Sequence, residues 1–251
     1  MATRTALRPP SPGAYAHLEP LPDPPRIPDM QQYDRLVAFD SILRAHFAAR
    51  TDVLISGQGY LRHEAGNDAE RLAPDCVVAF GVNSAAIVAR NGYVISEVGQ
   101  SPDFVLEMAS QSTGQRDYTV KRAGYAGYGV REYWRFDHTG GRYHDAPLAG
   151  DRLVAGEYEP LQIHEEAGGL KCGHSPVLGL DLCWDEGQLR VYDPAAGVYL
   201  PTAPEWSAQH AAERAARLTA EDRAATERAA RLSVETELRR LRERLRRLQA
   251  E

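Results

Sequence analysis

Two acidic residues stand in apolar stretches, where a carboxylate is costly to bury. Asp75 follows Pro74 and opens the run CVVAF at residues 76–80, and Glu107 lies inside the run FVLEMA at residues 104–109. Their β-branched and large apolar neighbours indicate that both runs are buried strands. A buried carboxylate without a partner is strongly disfavoured, so each acid requires a cation, a hydrogen-bond network or a metal ion beside it.

A lysine follows these acids on a predicted helix. The hydroxyl-rich residues 110–113 (SQST) are typical of a helix start, and the residues after them have helical spacing. That spacing places Lys121 and Tyr125 on one face of the helix. Only two of the 29 basic residues are lysines, Lys121 and Lys171, so the choice of lysine at position 121 is informative.

Each of these residues also has an ordinary structural interpretation. Asp117 and Lys121 have the i,i+4 spacing of an exposed helical ion pair, which stabilises a helix by only about 0.2–0.5 kcal/mol. Asp75 could be an acid at a turn or strand edge, because the preceding proline marks a strand start. Glu97, in a strand predicted at residues 93–97, competes with Glu107. We favour Glu107 because residues 99–102 (GQSP) separate Glu97 from the strand that leads into the lysine helix.

Four segments occur in a characteristic order. They are Pro74-Asp75, residues 105–110 (VLEMAS), residues 117–121 (DYTVK) and residues 125–134 (YAGYGVREYW). This order resembles the Uma2 proteins, endonucleases of the PD-(D/E)xK restriction-endonuclease-like superfamily, over about residues 31–199. One position departs from the superfamily pattern, because Ala109 stands where a lysine is expected two residues after the second acid. The resemblance therefore implies that Lys121 supplies the lysine from the helix.

The resemblance implies a fold and a reaction. The fold is an α/β restriction-endonuclease-like core, a mixed β-sheet flanked by helices, and the reaction is hydrolysis of phosphodiester bonds in DNA with Mg²⁺ or Mn²⁺. A divalent cation neutralises phosphate charge and lowers the pKa of a bound water, and hard cations prefer carboxylate and carbonyl oxygens. We expect Asp75, Glu107 and the backbone carbonyl of Met108 to bind the ion. Lys121 would orient the attacking water or stabilise the developing charge.

Five further residues are expected to support this site. Near the metal ion we expect supporting contacts from Glu64, Asp117 and Tyr125, and we expect Arg116 and Arg122 to contact nucleic acid. His144, His164 and His174 are scattered along the chain without the spacing of a ligand cluster, so zinc is not expected.

Composition limits the class of protein. The chain has 251 residues, of which 43% are hydrophobic, enough for a sizeable core. It has no apolar run long enough for a transmembrane helix, and its start lacks a signal-peptide core. The three cysteines, at positions 76, 172 and 183, lack metal-site spacing. They are predicted to be reduced, in a cytoplasmic protein without a membrane partner.

The chain is predicted to have three parts. Residues 1–28 are a proline-rich, disordered leader, residues 29–203 form the nuclease domain and residues 204–251 form a long helix. The domain begins with a helix at residues 30–49. Trp134 and Phe136, on a strand at residues 132–137, are predicted to pack in the core, although aromatic rings can also stack on a base. Short strands after residue 140 predict a β-hairpin extension; they lie at residues 142–144, 152–154, 158–161 and 189–192.

The last segment indicates self-association. Residues 205–251 contain no proline or glycine and carry apolar residues at alternating three- and four-residue steps. The alanine-rich seam up to Leu232 is out of phase with the leucine seam that begins at Val234, which indicates a discontinuity such as a stutter. We therefore expect a homo-oligomer formed through a coiled coil.

Charge favours a rival hypothesis. Residues 205–251 carry 11 Arg and nine acidic residues, which leaves 18 basic and 26 acidic residues, a net charge of −8, for residues 1–204. A groove that binds duplex DNA is normally basic, because affinity depends on Lys and Arg contacts to phosphate. The alternative is a catalytically inactive nuclease fold that serves as a DNA-binding or assembly module through its C-terminal helix.

Overall fold

The computed structural model describes residues 30–57, 59–66, 71–111, 113–166 and 168–248. The chain divides into two compact units, Met1–Thr202 and Ala203–Glu251. The leader predicted at residues 1–28 lies outside the described residues. Within the ranges just given, no helix has both the length and the apolar composition needed to cross a membrane.

The first unit has helices among its first strands and then a run of strands between Glu132 and Tyr199, and the second is a single helix. In chain order the elements are α1 (Met30–His46), β1 (Val53–Ser56), β2 (Tyr60–Arg62), β3 (Cys76–Phe80), α2 (Ser84–Ala89), β4 (Gly92–Val94), α3 (Ile95–Val98), β5 (Phe104–Met108), α4 (Gly114–Arg116), a π-helical turn (Asp117–Lys121), α5 (Arg122–Gly127), β6 (Glu132–Phe136), β7 (Leu148–Val154), β8 (Glu157–Pro160), β9 (Ile163–Glu165), β10 (Lys171–Ser175), β11 (Leu180–Asp185), β12 (Gln188–Asp193), β13 (Val198–Tyr199) and α6 (Ala203–Leu248).

A six-stranded mixed sheet forms the centre of the first unit, in the order β1-β3-β5-β6-β7-β8. The neighbours β5 and β6 are parallel, and the other neighbouring pairs are antiparallel. The strands β13-β12-β11-β10-β9 form a second, antiparallel sheet, and β2 pairs in parallel with β4. The predicted fold class is therefore confirmed: a mixed sheet with helices, a β-hairpin extension and a long C-terminal helix.

The strand β5 is buried along its whole length, between two apolar clusters. Leu106 belongs to the cluster that includes Leu43 of α1. Val105 belongs to the other cluster, with Tyr125 of α5. Because side chains alternate between the faces of a strand, Glu107 lies on the same face as Val105. The charged residue of β5 is thereby directed toward the helix that carries the lysine.

Trp134 of β6 fills a slot lined by two glycines. Gly150 lies opposite it on β7, and a Cβ at this position would be 2.9 Å from three indole atoms. A Cβ at Gly173 of β10 would be 2.9 Å from the indole and 2.4 Å from Ile163 Cδ1. The indole is fully buried, as is the ring of Phe136, so both belong to the core as predicted.

The cysteine prediction was wrong for two of the three residues. Cys172 and Cys183 form a disulfide, because the register of β10 and β11 places them opposite each other. Cys76 is free and buried, and its burial raises the pKa of its thiol well above the usual range. The disulfide removes the support that reduced cysteines gave to a cytoplasmic location.

Three local predictions also need correction. The strand predicted at residues 93–97 ends at Val94, and α3 follows it directly. Residues 142–144 form turns, because the backbone N–H groups of Tyr143 and His144 donate to the Asp137 carboxylate instead of to a neighbouring strand. The lysine helix contains the π-helical turn, which helical spacing alone did not predict.

Replacing Gly150 with alanine tests the slot around Trp134. The added methyl would meet the indole at 2.9 Å, so we expect Gly150→Ala to lower the free energy of unfolding by about 1–3 kcal/mol in urea denaturation. Gly127→Ala is the matched control, because a Cβ there meets no atom within 4 Å and lies at the end of a helix. Equal stability of the two variants would contradict this account of the slot.

Candidate active site

The pairing of β3 with β5 brings two predicted acids together. Cys76 lies opposite Leu106 in this antiparallel pair, so the next position places Asp75 beside Glu107. The backbone N–H of Met108 donates to Asp75 Oδ2 at 2.8 Å, which fixes this carboxylate against the end of β5. The carbonyl of Met108 accepts from Gln32 Nε2 of α1 at 2.8 Å. Three predicted ligand groups thus lie at one end of the central strands.

Glu107 is fully buried, and both of its carboxylate oxygens have partners. Lys121 Nζ lies 2.7 Å from Oε2, and the Tyr125 hydroxyl donates to Oε1 at 2.5 Å. Glu107 is therefore held between two side chains of the lysine helix, four residues apart.

Lys121 lies between two acids, and 8% of its surface is exposed. Its Nζ is 2.8 Å from Asp117 Oδ1, in addition to the contact with Glu107. Asp117 is fully buried, so the interpretation of Asp117 and Lys121 as an exposed helical pair was wrong. The two residues are the first and last of the π-helical turn. Such turns inside α-helices are frequent at functional sites.

Asp117 connects this cluster to a residue that the sequence analysis set aside. His144 Nε2 lies 3.0 Å from Asp117 Oδ2, and the imidazole is fully buried. The hydroxyl of Tyr133 donates to the backbone carbonyl of Asp117 at 2.7 Å. His144 was missed because it lies 27 residues after Asp117, in a segment without a recognisable motif. Gln32 was missed because it lies 76 residues before Met108, which it contacts.

The balance of charge in the cluster shifts the pKa of its members. The pKa of Glu107 is raised to about 8: burial is the largest cause, Lys121 opposes the rise, and the charges of Asp75 and Asp117 add to it. Burial alone would raise the pKa of Asp117, but the hydrogen bond with His144 and the charge of Lys121 outweigh it, so this pKa is lowered. Burial alone would lower the pKa of Lys121, but the charges of Glu107, Asp117 and Asp75 outweigh it, so this pKa is raised. Negative charge is therefore in surplus around Glu107.

Four other candidates lie outside this cluster of contacts. Glu64 is exposed and accepts from Ser96 Oγ at 2.9 Å. Arg116 is exposed, whereas Arg122 is bound to both oxygens of Asp151, at 2.8 and 3.1 Å. The competing acid Glu97 is bound to Arg90 at 3.0 and 3.1 Å. Of the three residues predicted to support the metal ion, the contacts join Asp117 and Tyr125 to Glu107, directly or through Lys121.

The oxygen ligands at this site are chemically suited to a hard divalent cation. Asp75 and Glu107 offer carboxylate oxygens and Met108 a carbonyl oxygen, the ligand types that Mg²⁺ and Mn²⁺ prefer. The surplus negative charge also favours a cation. Among the described residues, no group of three or more His, Cys, Asp or Glu side chains is arranged to hold a metal ion.

Comparison with known proteins identifies a family that matches most of the chain. Residues 34–219 match the family described as "Uma2: Putative restriction endonuclease". A solved structure from Anabaena variabilis, described as a "putative nuclease", is similar at 15% sequence identity and a TM-score of 0.37. The similarity covers 54% of this chain and 69% of that one. No curated protein matches.

Glu107→Gln should stabilise the metal-free protein in a pH-dependent way. The pKa of Glu107 is raised from 4.5 to about 8 on folding, so the folded state binds this proton more tightly than the unfolded state. Wild-type stability should therefore fall relative to the variant as pH rises from about 4.5 to about 8, and the difference should not change with pH below that window. Urea denaturation in EDTA at pH 4, 6 and 8 measures how the difference changes. A difference that is constant with pH would contradict the electrostatics described.

Proposed function

The chain belongs to the Uma2 family, and from this premise we propose that it is a metal-dependent endonuclease that hydrolyses phosphodiester bonds in DNA. The observation that carries the proposal is the buried contact between Lys121 and Glu107, with Asp75 bound to the next residue of the same strand. This constellation joins two carboxylates and one lysine from separate elements, as the chemistry requires.

In this proposal Asp75, Glu107 and the Met108 carbonyl hold Mg²⁺ or Mn²⁺. The bound ion would neutralise phosphate charge and supply an acidified water. Tyr125 donates a hydrogen bond to Glu107 and so fixes the direction of this carboxylate. Burial raises the pKa of the Tyr125 hydroxyl well above its usual range, so this group remains a neutral donor.

In this proposal Lys121 acts as a charged donor. In the metal-free protein its pKa is raised despite burial, because Glu107, Asp117 and Asp75 stabilise the ammonium. A charged ammonium can orient the attacking water or stabilise the charge that develops on the phosphoryl oxygens.

Loss of Lys121 should abolish cleavage without loss of the fold. We expect Lys121→Met to reduce the rate of plasmid and oligonucleotide cleavage in Mg²⁺ or Mn²⁺ by about 100-fold or more, as removal of a charge-stabilising donor does elsewhere. Asp75→Asn and Glu107→Gln should have effects at least as large. Lys171→Met is the matched control, because Lys171 lies on β10 and pairs with Glu165. Equal activity of the two lysine variants would refute the assignment of Lys121.

We also propose that α6 forms a parallel coiled coil with a second copy of the chain. In the second unit, large apolar side chains of α6 are exposed, among them Leu238 (45%), Leu241 (54%) and Leu245 (57%). They repeat at three- and four-residue steps. In a parallel, in-register pair, Glu237 of one copy would face Arg242 of the other, because these positions flank the seam in successive heptads.

A substitution in this seam tests the enzyme hypothesis against the hypothesis of an inactive assembly module. We expect Leu241→Glu to convert an oligomer into a monomer in analytical ultracentrifugation, whereas Ser233→Glu, outside the seam, should leave the oligomer intact. An enzyme should retain metal-dependent cleavage as a monomer, whereas an inactive module should show no cleavage in either form. A wild-type protein that is monomeric at all concentrations would contradict the coiled coil.

A further inference from the structure

The loop that carries His144 is held in place by one buried carboxylate at the end of β6. Asp137 Oδ1 accepts from the Thr139 backbone N–H at 2.8 Å and from its hydroxyl at 2.6 Å. Asp137 Oδ2 accepts from the backbone N–H groups of Tyr143 and His144, at 2.7 and 2.9 Å. These four bonds hold the Asp137 pKa below its usual range, although burial opposes this. The backbone at His144 is therefore anchored to the central sheet.

The same loop meets the start of the lysine helix at a backbone contact. A Cβ on Gly114, the first residue of α4, would lie 2.1 Å from the carbonyl oxygen of Tyr143. Only glycine permits this approach. The loop and the helix therefore approach each other closely beside the contact between His144 and Asp117.

The two nitrogens of the His144 ring have different surroundings. Nε2 lies 3.0 Å from Asp117 Oδ2, whereas Nδ1 has no hydrogen-bond partner among the described residues. A buried N–H without an acceptor is costly, and an unprotonated ring nitrogen in the same place loses less. Of the two neutral tautomers, the surroundings therefore favour the one with its proton on Nε2, donated to Asp117.

We propose that His144 is a positioning residue, whose Nε2–H fixes the Asp117 carboxylate so that Asp117 in turn holds the Lys121 ammonium against Glu107. The contacts run without interruption from Nε2 to Asp117 Oδ2, from Asp117 Oδ1 to Lys121 Nζ at 2.8 Å, and from Nζ to Glu107 Oε2 at 2.7 Å. A lysine side chain has many rotamers, and a carboxylate fixed on its far side limits them. His144 itself does not touch the reacting atoms.

This inference rests on the proposed function only for its effect on cleavage. The tautomer and the order of Lys121 are properties of the folded protein and can be measured without substrate. They separate a positioning role from a purely structural one, in which His144 only fills space in the core.

The first measurement is the tautomer of His144. In ¹⁵N-histidine-labelled protein, a long-range ¹⁵N–¹H spectrum distinguishes the two neutral tautomers and the imidazolium. The His144 signal is identified by its loss in His144→Gln. We expect a proton on Nε2; a neutral ring with its proton on Nδ1 would leave Nε2 unable to donate to Asp117 and would overturn the proposal.

The second measurement follows Lys121, which is one of only two lysines in the chain. With ¹³C-lysine labelling, the wild-type protein should show one dispersed side-chain methylene signal for Lys121, identified by its loss in Lys121→Met. His144→Ala should move this signal toward the values of an unconstrained lysine, and His144→Gln should preserve it, because the glutamine amide can donate to Asp117. His164→Ala, at an exposed histidine on β9, is the control and should change nothing.

Cleavage assays complete the test. His144→Ala should lower kcat by about 10- to 100-fold with KM little changed, and His144→Gln should restore most of the rate. A Lys121 signal and a kcat that are unchanged in a folded His144→Ala would overturn the proposal. If His144→Ala does not fold, the tautomer in the wild type and the Lys121 signal in His144→Gln still distinguish a positioning role from a purely structural one. If the wild type does not cleave DNA, the proposed function fails, while the two spectra still decide the role of His144.

Discussion

The burial of Glu107 at the end of the central strand is the constraint on which the site depends. A fully buried carboxylate must be compensated, and the compensation comes from Lys121 and Tyr125 on the facing helix. Asp117 also contacts that ammonium at 2.8 Å, and His144 contacts Asp117 in turn at 3.0 Å. The cluster still carries more negative than positive charge. An excess of negative charge is what a restriction-endonuclease-like site that binds a cation would have before the ion binds.

The part of the site that lies in regular strands could be predicted from the sequence. Asp75 and Glu107 stand out because one opens an apolar run and the other lies inside one, and strand alternation then directs Glu107 to the helix side. Lys121 stands out because lysine is rare in this chain. His144 could not be predicted, since its place depends on a loop held by Asp137 and on the close approach at Gly114. The disulfide between Cys172 and Cys183 depends on the register of β10 and β11, two strands that no local sequence pattern predicted.

The acidic character of residues 1–204 bears on how such an enzyme would meet its substrate. With a net charge of −8, this part of the chain offers little general attraction for phosphate. Arg122 and Arg135 are basic residues of the kind that contact DNA. Both are instead bound to Asp151 inside the fold. A cation bound by the carboxylates, and a second copy brought by α6, would each add affinity that the single domain lacks. Metal binding and assembly are thus two separate contributions to affinity in this account.

The most direct test of the central claim is a calorimetric titration with Mn²⁺. The wild-type protein and the double variant Asp75→Asn, Glu107→Gln would each be titrated with and without a non-cleavable DNA duplex. The account predicts a saturable binding event in the wild type, with or without DNA, that the double variant lacks in both conditions. Absence of binding by the wild type in both conditions, or equal binding by the double variant, would contradict a carboxylate metal site at the end of β3 and β5.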